Sequence, residues 1–569
     1  VTTVARCALL ALDIVLLYSP AWFGRWAGGD VRPYHIATVA LLLVNIALVW
    51  WWDRASPTDD APATIAPSAS AWWVGLGVVI LMSTAFRGWL REILIFPLDP
   101  NRADMLVVIQ AAIHRLLQGG DPYAMYNVPW PATLPYGPVM WAPLIVPTVM
   151  HVDPRFVTLI GFFFFPIACV GVAADEWTRR NQPAAAGWLM VAAAVAFSPE
   201  VRHFVSIGHT PVYWPLLMLL AWLVARERWE GAAIVAGLLI VARTTMVAIA
   251  PVLLIAVWHR ARPRVAKTAS LLIAAFALPF LPFAIWNWSS LKYGLYGSYQ
   301  VVIKGFVWTS TTWAQHTIGI TGMLLSHGWQ HSVEIVQALV MLLVCAFAAV
   351  AIRAGRRPLP WMAFALLAFS MTTLWPVIYI YFDVCLLFVA AALVETPWAR
   401  STGVTKGWIG LVGVTVSALV LLVWTEVPIN ASIDVGMPPA RDFLRSGFSG
   451  DEHDGAITFA WVDGNRAEIR VPRRSRRAAA LSIVCRPNLA RVGDEQRLSV
   501  AVNGTLVGTA SLADGWQTVS FGVPGRAWEI GGNDVTLFLS SAVSPLESGQ
   551  GGDPRRLSLA VDRVTVESR

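Results

Sequence analysis

The chain has 569 residues, of which 56% are hydrophobic and only 14% charged, with a mean hydropathy of +0.59. Soluble domains carry about 25% charged residues, so this composition, with its runs of ~20 apolar residues, excludes a soluble globular protein. The formal net charge of +7 does not mark a nucleic-acid binder, because the basic residues lie between apolar spans as the positive-inside bias requires. Four of the cysteines (Cys7, Cys169, Cys345, Cys385) lie in apolar runs and Cys485 stands alone in the tail, which implies no disulfide framework.

The chain opens on Val1, then Arg6 and the apolar run Cys7–Trp22. Ser19-Pro20-Ala21 is a poor cleavage site, so a retained first helix is expected rather than a signal peptide. A second span at 35–52 completes an N-terminal hairpin over 1–52, and the Ala/Pro/Ser/Thr-rich stretch 53–71 reads as a flexible linker. Further spans are expected at 72–90, 134–150, 155–174, 185–199, 210–225, 231–258, 266–288, 333–352, 359–376, 377–395 and 407–425. The fold class is thus a polytopic α-helical membrane protein of about 12–13 apolar spans. Its main module covers 72–429, with loops at 91–133 and 289–332.

Basic loops at 259–267 and 353–357 carry the cytoplasmic signature, which puts both long loops and the tail on the opposite face. Two runs resist a simple crossing. The 231–258 run has basic residues at both ends and Arg243 near its middle, so two half-helices meeting at Arg243 are expected, with irregular backbone lining a cavity. The 185–199 run is short, and alternation of the spans predicts that it does not fully cross.

From about 430 the pattern changes to alternation, as in Leu498–Val502, Thr518–Val523, Val535–Leu539 and Leu557–Val566. Turn signals Asn503-Gly504, Asp514-Gly515 and 531–533 separate these runs, so 430–569 is expected to form an all-β sandwich.

The loop at 91–133 carries Asp104, then His114-Arg-Leu-Leu-Gln-Gly-Gly-Asp-Pro-Tyr123, and is followed by Pro135-Tyr-Gly-Pro138. This pattern resembles the GT-C superfamily of polyprenol-phosphate-sugar-dependent glycosyltransferases, closest to its bacterial family 87-type mannosyltransferase branch. There the loop reads Asp, an apolar run, Leu-x-Gly-x-Asp-Pro-Tyr, then Tyr-Pro-Pro; Gly137 replaces the middle proline of the last triplet. The tail string Val-Asn-Gly, Gly-Trp516, Val-Pro524 and Gly-Asn533 looks like the jelly-roll modules of the galactose-binding type, a carbohydrate-binding-like domain.

The resemblance implies a multi-pass protein of the bacterial inner membrane, with its active site and β-domain on the extracytoplasmic side. It would transfer a sugar from a polyprenyl-phosphate donor to a cell-envelope glycan or glycolipid by inverting displacement. A mannose-like hexose is the default by family, and arabinofuranose is the variant, since several arabinosyltransferases of the superfamily carry a C-terminal sugar-binding domain. Such transfer needs a base for the acceptor hydroxyl and cations for the departing phosphate. Asp104 aligns with the family's loop aspartate and is the candidate base, with a helix-capping role as its competitor. Asp99, flanked by Pro97 and Pro100, is a candidate contact that also suits a turn, as does Asp121 before Pro122.

Arg243 occupies the place of the lysine in the family's Lys-Pro-Thr-Pro pattern and is the candidate for the donor phosphate. An ion pair with a buried acid such as Asp383 is the competing role. His209 falls in place of the glutamine of Gly-Gln-x-Asn, and Arg202 precedes it; both are candidates at the phosphate. Tyr123, Tyr136, His316 and Tyr381 are candidate substrate contacts, and Trp308, Trp313 and Lys304 offer stacking and polar contacts in the second loop. Tyr381 belongs to Trp375-Pro-Val-Ile-Tyr-Ile-Tyr381, which resembles a family stretch but lacks its histidine. In the tail, Arg473–Arg477 reads as a solvated turn, and Trp516 and Trp528 either stack on sugars or fill the core.

No His/Cys cluster has zinc spacing and no phosphate loop is visible, so the reading includes no cofactor and no metal, and points to a lipid-linked donor. The partners are then the donor, the acceptor and membrane lipids, with no nucleic acid. A transporter or flippase of lipid-linked glycans, or a non-catalytic glycan-binding scaffold, is the alternative.

Overall fold

The computed structural model describes residues 69–101, 103–128, 130–209, 211–309, 319–374, 380–396, 420–489, 494–549 and 551–568, with isolated positions between 40 and 52 and at 417. The expected first span, most of the linker, most of the last span, Trp313, His316 and Tyr379 lie outside these residues. The described chain is mostly helical, followed by an all-β region of antiparallel sheets. It divides into two compact units. One draws on 100–145 and 157–416; the other joins 86–99 and 146–156 to the tail from 417. Two segments far earlier in the chain than the expected boundary near 430 thus cluster with the β-region.

The helices in chain order are α1 (Ala69–Ile95), α2 (Met105–Leu117), α3 (Pro138–Trp141), α4 (Ile145–Met150), α5 (Arg155–Thr178), α6 (Gln182–Ala196), α7 (Pro199–Ser206), α8 (Trp214–Ala225) and α9 (Trp229–Ala242). They continue as α10 (Ile249–Arg260), α11 (Val265–Ala277), α12 (Leu281–Lys292), α13 (Gly319–Ser326), α14 (Val333–Arg353), α15 (Pro358–Thr372) and α16 (Ile380–Val394). Among the described residues, three stretches are long and apolar enough to cross a membrane: α5, Gln182–Ser206 and Gln330–Arg353. A fourth counts if Arg262–Ala277 and Leu281–Val307, bent by 61°, form one span. The shorter apolar helices explain the difference from the expected number of spans: 12 residues reach only roughly 18 Å, against a hydrocarbon core of ~30 Å.

The 185–199 run is part of a longer helical stretch, because α6 leads through Ser198 into α7 and the pair reaches Ser206. Ser198 caps α7 by accepting from the Val201 N–H at 3.4 Å, with Pro199 in the first turn. Over 289–307 the expected loop is helical instead, since α12 passes into π-helical turns Tyr293–Gly297 and Gln300–Val307.

Burial distinguishes the helices. In α15 and α16 nearly every residue is buried, as in a helix that is apolar all round at the centre of a bundle. On α14, by contrast, Ile335, Leu339, Leu342, Leu343 and Phe347 are exposed, leaving an apolar face open to its surroundings. Gly237 lets α9 approach α11 closely, for a Cβ there would lie 2.6 Å from the Leu272 carbonyl oxygen.

In the second unit, one sheet has the order β10-β9-β12-β7-β4 and the other β11-β8-β13-β6-β5, with β3 also on β13. The strands are β3 (Ala431–Asp434), β4 (Leu444–Ser446), β5 (Phe448–Asp454), β6 (Ile457–Asp463), β7 (Arg466–Arg473), β8 (Ala479–Pro487), β9 (Gln496–Val502), β10 (Thr505–Leu512), β11 (Gln517–Val523), β12 (Gly531–Leu539) and β13 (Leu557–Ser568). β1 (Tyr126–Asn127) and β2 (Pro131–Ala132) form a small hairpin elsewhere. Leu481, Ile483, Leu498, Val500, Val535 and Val564, drawn from both sheets, share one apolar core. The β9–β10 hairpin turns on Asn503 (φ 48°) and Gly504 (φ 78°), the two positive-φ positions a tight hairpin turn needs.

Trp528 fills this core, and Arg473 is wholly buried with its guanidinium over the Trp528 ring at 4.7 Å. The solvated turn expected at Arg473 is thus corrected: its guanidinium donates to the Ile429 and Arg477 carbonyls and to Ser568 Oγ. The 531–533 turn is corrected too, as Gly531–Asn533 opens β12 and the buried Asn533 amide donates to the Glu529 and Val471 carbonyls.

Arg155 ties the segments of this unit together. It is fully buried, donates to Asp153 at 2.6 Å, and reaches the Ile93 and Phe96 carbonyls at 2.6 and 2.8 Å. Burial alone would lift the Asp153 carboxyl, but Arg155, helped by Arg470, holds it below its ordinary 3.8. Its stabilising share is present above that value and lost as pH falls through the lowered one. Arg155→Met leaves Asp153 buried without its counter-charge and is expected to cost about 3–5 kcal/mol. Pulse proteolysis of the protein in nanodiscs should show earlier cleavage of the β-region, most marked near neutral pH.

Candidate functional site

The site grows from the break after α9. That helix ends at Ala242, Arg243 adopts extended backbone (φ −150°, ψ 122°), and a 3-10 turn, Thr244–Ala248, leads into α10. The two helical segments meeting at Arg243 are as expected from the charge in mid-run. The Arg243 side chain is 14% exposed and its Nε lies 3.6 Å from Asp383 Oδ2 on α16. Asp383 is 1% exposed and takes shorter contacts from α8 and its leading turn. Trp214 Nε1 donates to it at 2.8 Å, and the Tyr213 hydroxyl donates to it at 2.8 Å, with the second oxygen at 3.0 Å. Arg243 Nη1 in turn donates to the Tyr213 hydroxyl at 3.3 Å. The ion-pair role weighed for Arg243 is therefore present.

Arg243 also lines a cleft with Met105, Phe204, His209, Trp214 and Phe382. The space in it that admits a water-sized body is only about 10 Å³, room for about one water molecule.

His209 reaches the cleft through helix-end geometry. Gly208, at φ 107°, follows α7, and the His209 N–H bonds back to the Phe204 carbonyl at 2.9 Å while the Gly208 N–H meets Val205 at 3.2 Å. Burial, reinforced by the Arg243 and His203 charges, depresses the His209 imidazole to about 3. It is neutral at physiological pH and can offer a hydrogen bond but no charge. Arg202 is half-buried on α7 and is not among the cleft-lining residues.

Asp104 immediately precedes Met105, which lines the cleft. It stands at the start of α2 but makes no side-chain cap hydrogen bond; only its carbonyl engages the helix, accepting from Val108 at 2.8 Å. The capping role is therefore not observed. The carboxyl is half-buried, and burial raises its proton affinity above the usual carboxylate value, partly offset by a backbone hydrogen bond.

The structure disperses the remaining candidates. Tyr123 is 1% exposed, donates to the Tyr136 carbonyl at 3.1 Å and meets Phe283 edge-on at 5.4 Å. Its ring is enclosed between helices. Tyr136 is half-buried and serves that contact through its backbone. Tyr381 is fully buried, with its hydroxyl 2.8 Å from where a Cβ on Gly319 would stand, so it too is enclosed. Asp99 is half-buried in the bend after α1 and falls in the other unit from Asp104. Asp121 is a turn former: it accepts from the Tyr123 N–H at 2.9 Å and from Asn287 at 3.0 Å. Trp308 donates to the Leu374 carbonyl at 2.9 Å, and Lys304 pairs with Glu334.

Tyr213 and Trp214 were not among the sequence candidates. An aromatic pair opening an apolar run reads as an interfacial anchor, and nothing in its spacing points to an acid on α16. Among the described residues no group of His, Cys, Asp or Glu could hold a metal ion. No family model matches the chain, and no curated protein matches it.

Gly137 connects the loop to the break. A Cβ there would lie 2.1 Å from the Val241 carbonyl oxygen and 2.8 Å from its side chain, two residues before Arg243. A glycine at this position is thus a requirement of close packing. Gly137→Ala must push the last turn of α9 aside, at an expected cost of about 1–3 kcal/mol. A lowered melting temperature in detergent, with a larger loss for Gly137→Pro, checks this.

Proposed function

We propose that the chain is a membrane glycosyltransferase that moves a sugar from a polyprenyl-phosphate donor to an envelope glycan or glycolipid. The observation carrying this reading is the meeting at one cleft of Arg243, held at a helix break, and Met105, the neighbour of a half-buried and uncapped Asp104. Asp104 takes the proton of the acceptor hydroxyl, whose oxygen forms the new bond to the anomeric carbon. The bond from that carbon to the phosphate oxygen breaks as the electron pair leaves with the phosphate, and configuration inverts. Arg243 stabilises the charge gathering on the leaving phosphate, and His209 offers a neutral hydrogen bond. The raised proton affinity of Asp104 suits a base, which must be deprotonated to act. A mannose-like hexose is the sugar tried first and arabinofuranose the second. The reading places the protein in a bacterial inner membrane, with the reaction on the outer side.

Transfer from radiolabelled polyprenyl-phosphate mannose, and in parallel from the arabinose donor, tests this with purified protein in nanodiscs. Asp104→Asn should lower the rate by about 10²–10⁴-fold without lowering stability. In the wild type, rate should fall as pH drops through the raised Asp104 value. Arg243 needs a separate control, because Arg243→Met alone strands a buried carboxylate at a cost of about 3–5 kcal/mol. The double variant Arg243→Met/Asp383→Asn should recover stability but not transfer. Recovery of both would make Arg243 a structural partner only. Wild-type rate in Asp104→Asn would move the base elsewhere.

A further inference from the structure

We infer that the outer face of the six-stranded sheet carries a sugar-ring binding site built on Trp461, Arg486 and Trp516. It deepens the glycan-handling reading above by giving the β-region a ligand surface of its own.

Strand register assembles the site. Ala560, on β13, pairs with Trp461 on β6 to one side and with Arg486 on β8 to the other. On the far side of β8, Gln517 at the start of β11 pairs with Cys485, which brings the preceding residue, Trp516, to the same row. Residues directly opposite one another in an antiparallel sheet share a face. Trp461 lies between Ala460 and Val462, both core residues, so its own side chain points outward. The row therefore runs Trp461, Ala560, Arg486, Trp516 across the outside, and the small Ala560 lets the large groups converge.

They do converge. The Arg486 guanidinium lies 5.7 Å from the Trp461 ring and 5.4 Å from the Trp516 ring. Phe459, two residues before Trp461 and on its face, meets both indoles at 5.8 and 5.5 Å. The outward face of a sandwich sheet ordinarily carries polar side chains, so an aromatic–cation–aromatic row there calls for a reason. Two further observations point to a ligand. The Trp516 Nε1 is buried and has no hydrogen-bond partner among the described residues. Arg486 holds Asp454, 60% exposed, at 3.3 Å, which sets a donor and an acceptor side by side at the edge of the aromatic row.

That combination matches the chemistry of a sugar. One face of a pyranose or furanose ring is lined by C–H groups that pack on an indole, and adjacent hydroxyls both donate and accept. Arg486 donates to one hydroxyl and Asp454 accepts from its neighbour, while the Trp516 N–H is a third, directional donor. An anionic headgroup would find Asp454 repulsive, which favours a neutral ring.

The full-length protein in zwitterionic nanodiscs is tested by biolayer interferometry against mannopentaose and an arabinofuranosyl pentasaccharide, without donor. At least one should bind, and Trp461→Ala and Arg486→Gln should each weaken it by about tenfold or more. Trp516→Phe keeps an aromatic ring but loses the N–H and part of the stacking face, so a smaller loss at unchanged melting temperature separates recognition from folding. Binding of neither sugar, binding that survives all three variants, or a response confined to phosphatidylglycerol vesicles would overturn the site. Transfer is measured separately with the lipid-linked donors. Sugar binding without transfer would sink the enzyme reading alone, and transfer without binding would sink this site alone.

Discussion

Arg243 can stand inside an apolar bundle only because Asp383 stands opposite it, and the helical unit is arranged around that necessity. A charged side chain at the centre of a membrane helix costs about 2.5–3.5 kcal/mol on insertion scales, and more without a partner. Here the partner is itself secured by the Tyr213 hydroxyl and the Trp214 N–H. Four side chains from three places in the chain thus satisfy one another. Together they fix α8 and α16 against the point where α9 stops. The extended backbone at Arg243 follows from the same requirement, since it interrupts the helix where the side chain must turn toward its partner. Gly137 then becomes obligatory, because the end of α9 leaves no room for a side chain beside Val241.

Much of this was legible in the sequence where a charge interrupts an apolar run. Arg243 signalled both the break and Asp383 as its possible partner, because an unpaired charge is costly enough to force a local solution. The donors to Asp383 were not legible, for tyrosine and tryptophan serve membrane interfaces so commonly that their type carries no address. The same ambiguity attends Tyr123 and Tyr381, whose side chains are buried in the helical unit. Composition was equally blind at 289–307. Polar residues among aromatics suggested a loop, yet the chain continues as α12 and π-helical turns, with Ser290 donating to the Tyr123 carbonyl and Lys304 pairing with Glu334. Local polarity cannot reveal a partner that distant packing supplies.

In the β-region the period-2 alternation and the Asn503-Gly504 turn located strands well, because both signals are local. Register is not local. The row of Trp461, Ala560, Arg486 and Trp516 exists only because β13 lies between β6 and β8, and no spacing along the chain announces that order. Arg473 shows the reverse case: an arginine in a basic run looks solvated, yet it is enclosed beside Trp528 because its guanidinium finds carbonyls at the strand end.

The balance of charge in the cleft bears on how it would treat an anion. Arg243 faces Asp383, and His209, depressed to about 3, adds no charge at physiological pH. Phosphate attraction then depends on how firmly Asp383 engages the guanidinium. Its close hydrogen bonds, at 2.8 Å, come from Tyr213 and Trp214, whereas the nearest guanidinium nitrogen stands at 3.6 Å. That is longer than a charge-assisted hydrogen bond, which runs at about 2.7–2.9 Å. The carboxylate therefore sets the position of Arg243 electrostatically without clasping it as a bidentate pair would. A guanidinium aimed in this way, beside an uncharged imidazole, favours an anion that arrives already bearing its charge. It would hold a neutral hydroxyl far less well, because a hydroxyl offers the guanidinium no full charge to meet.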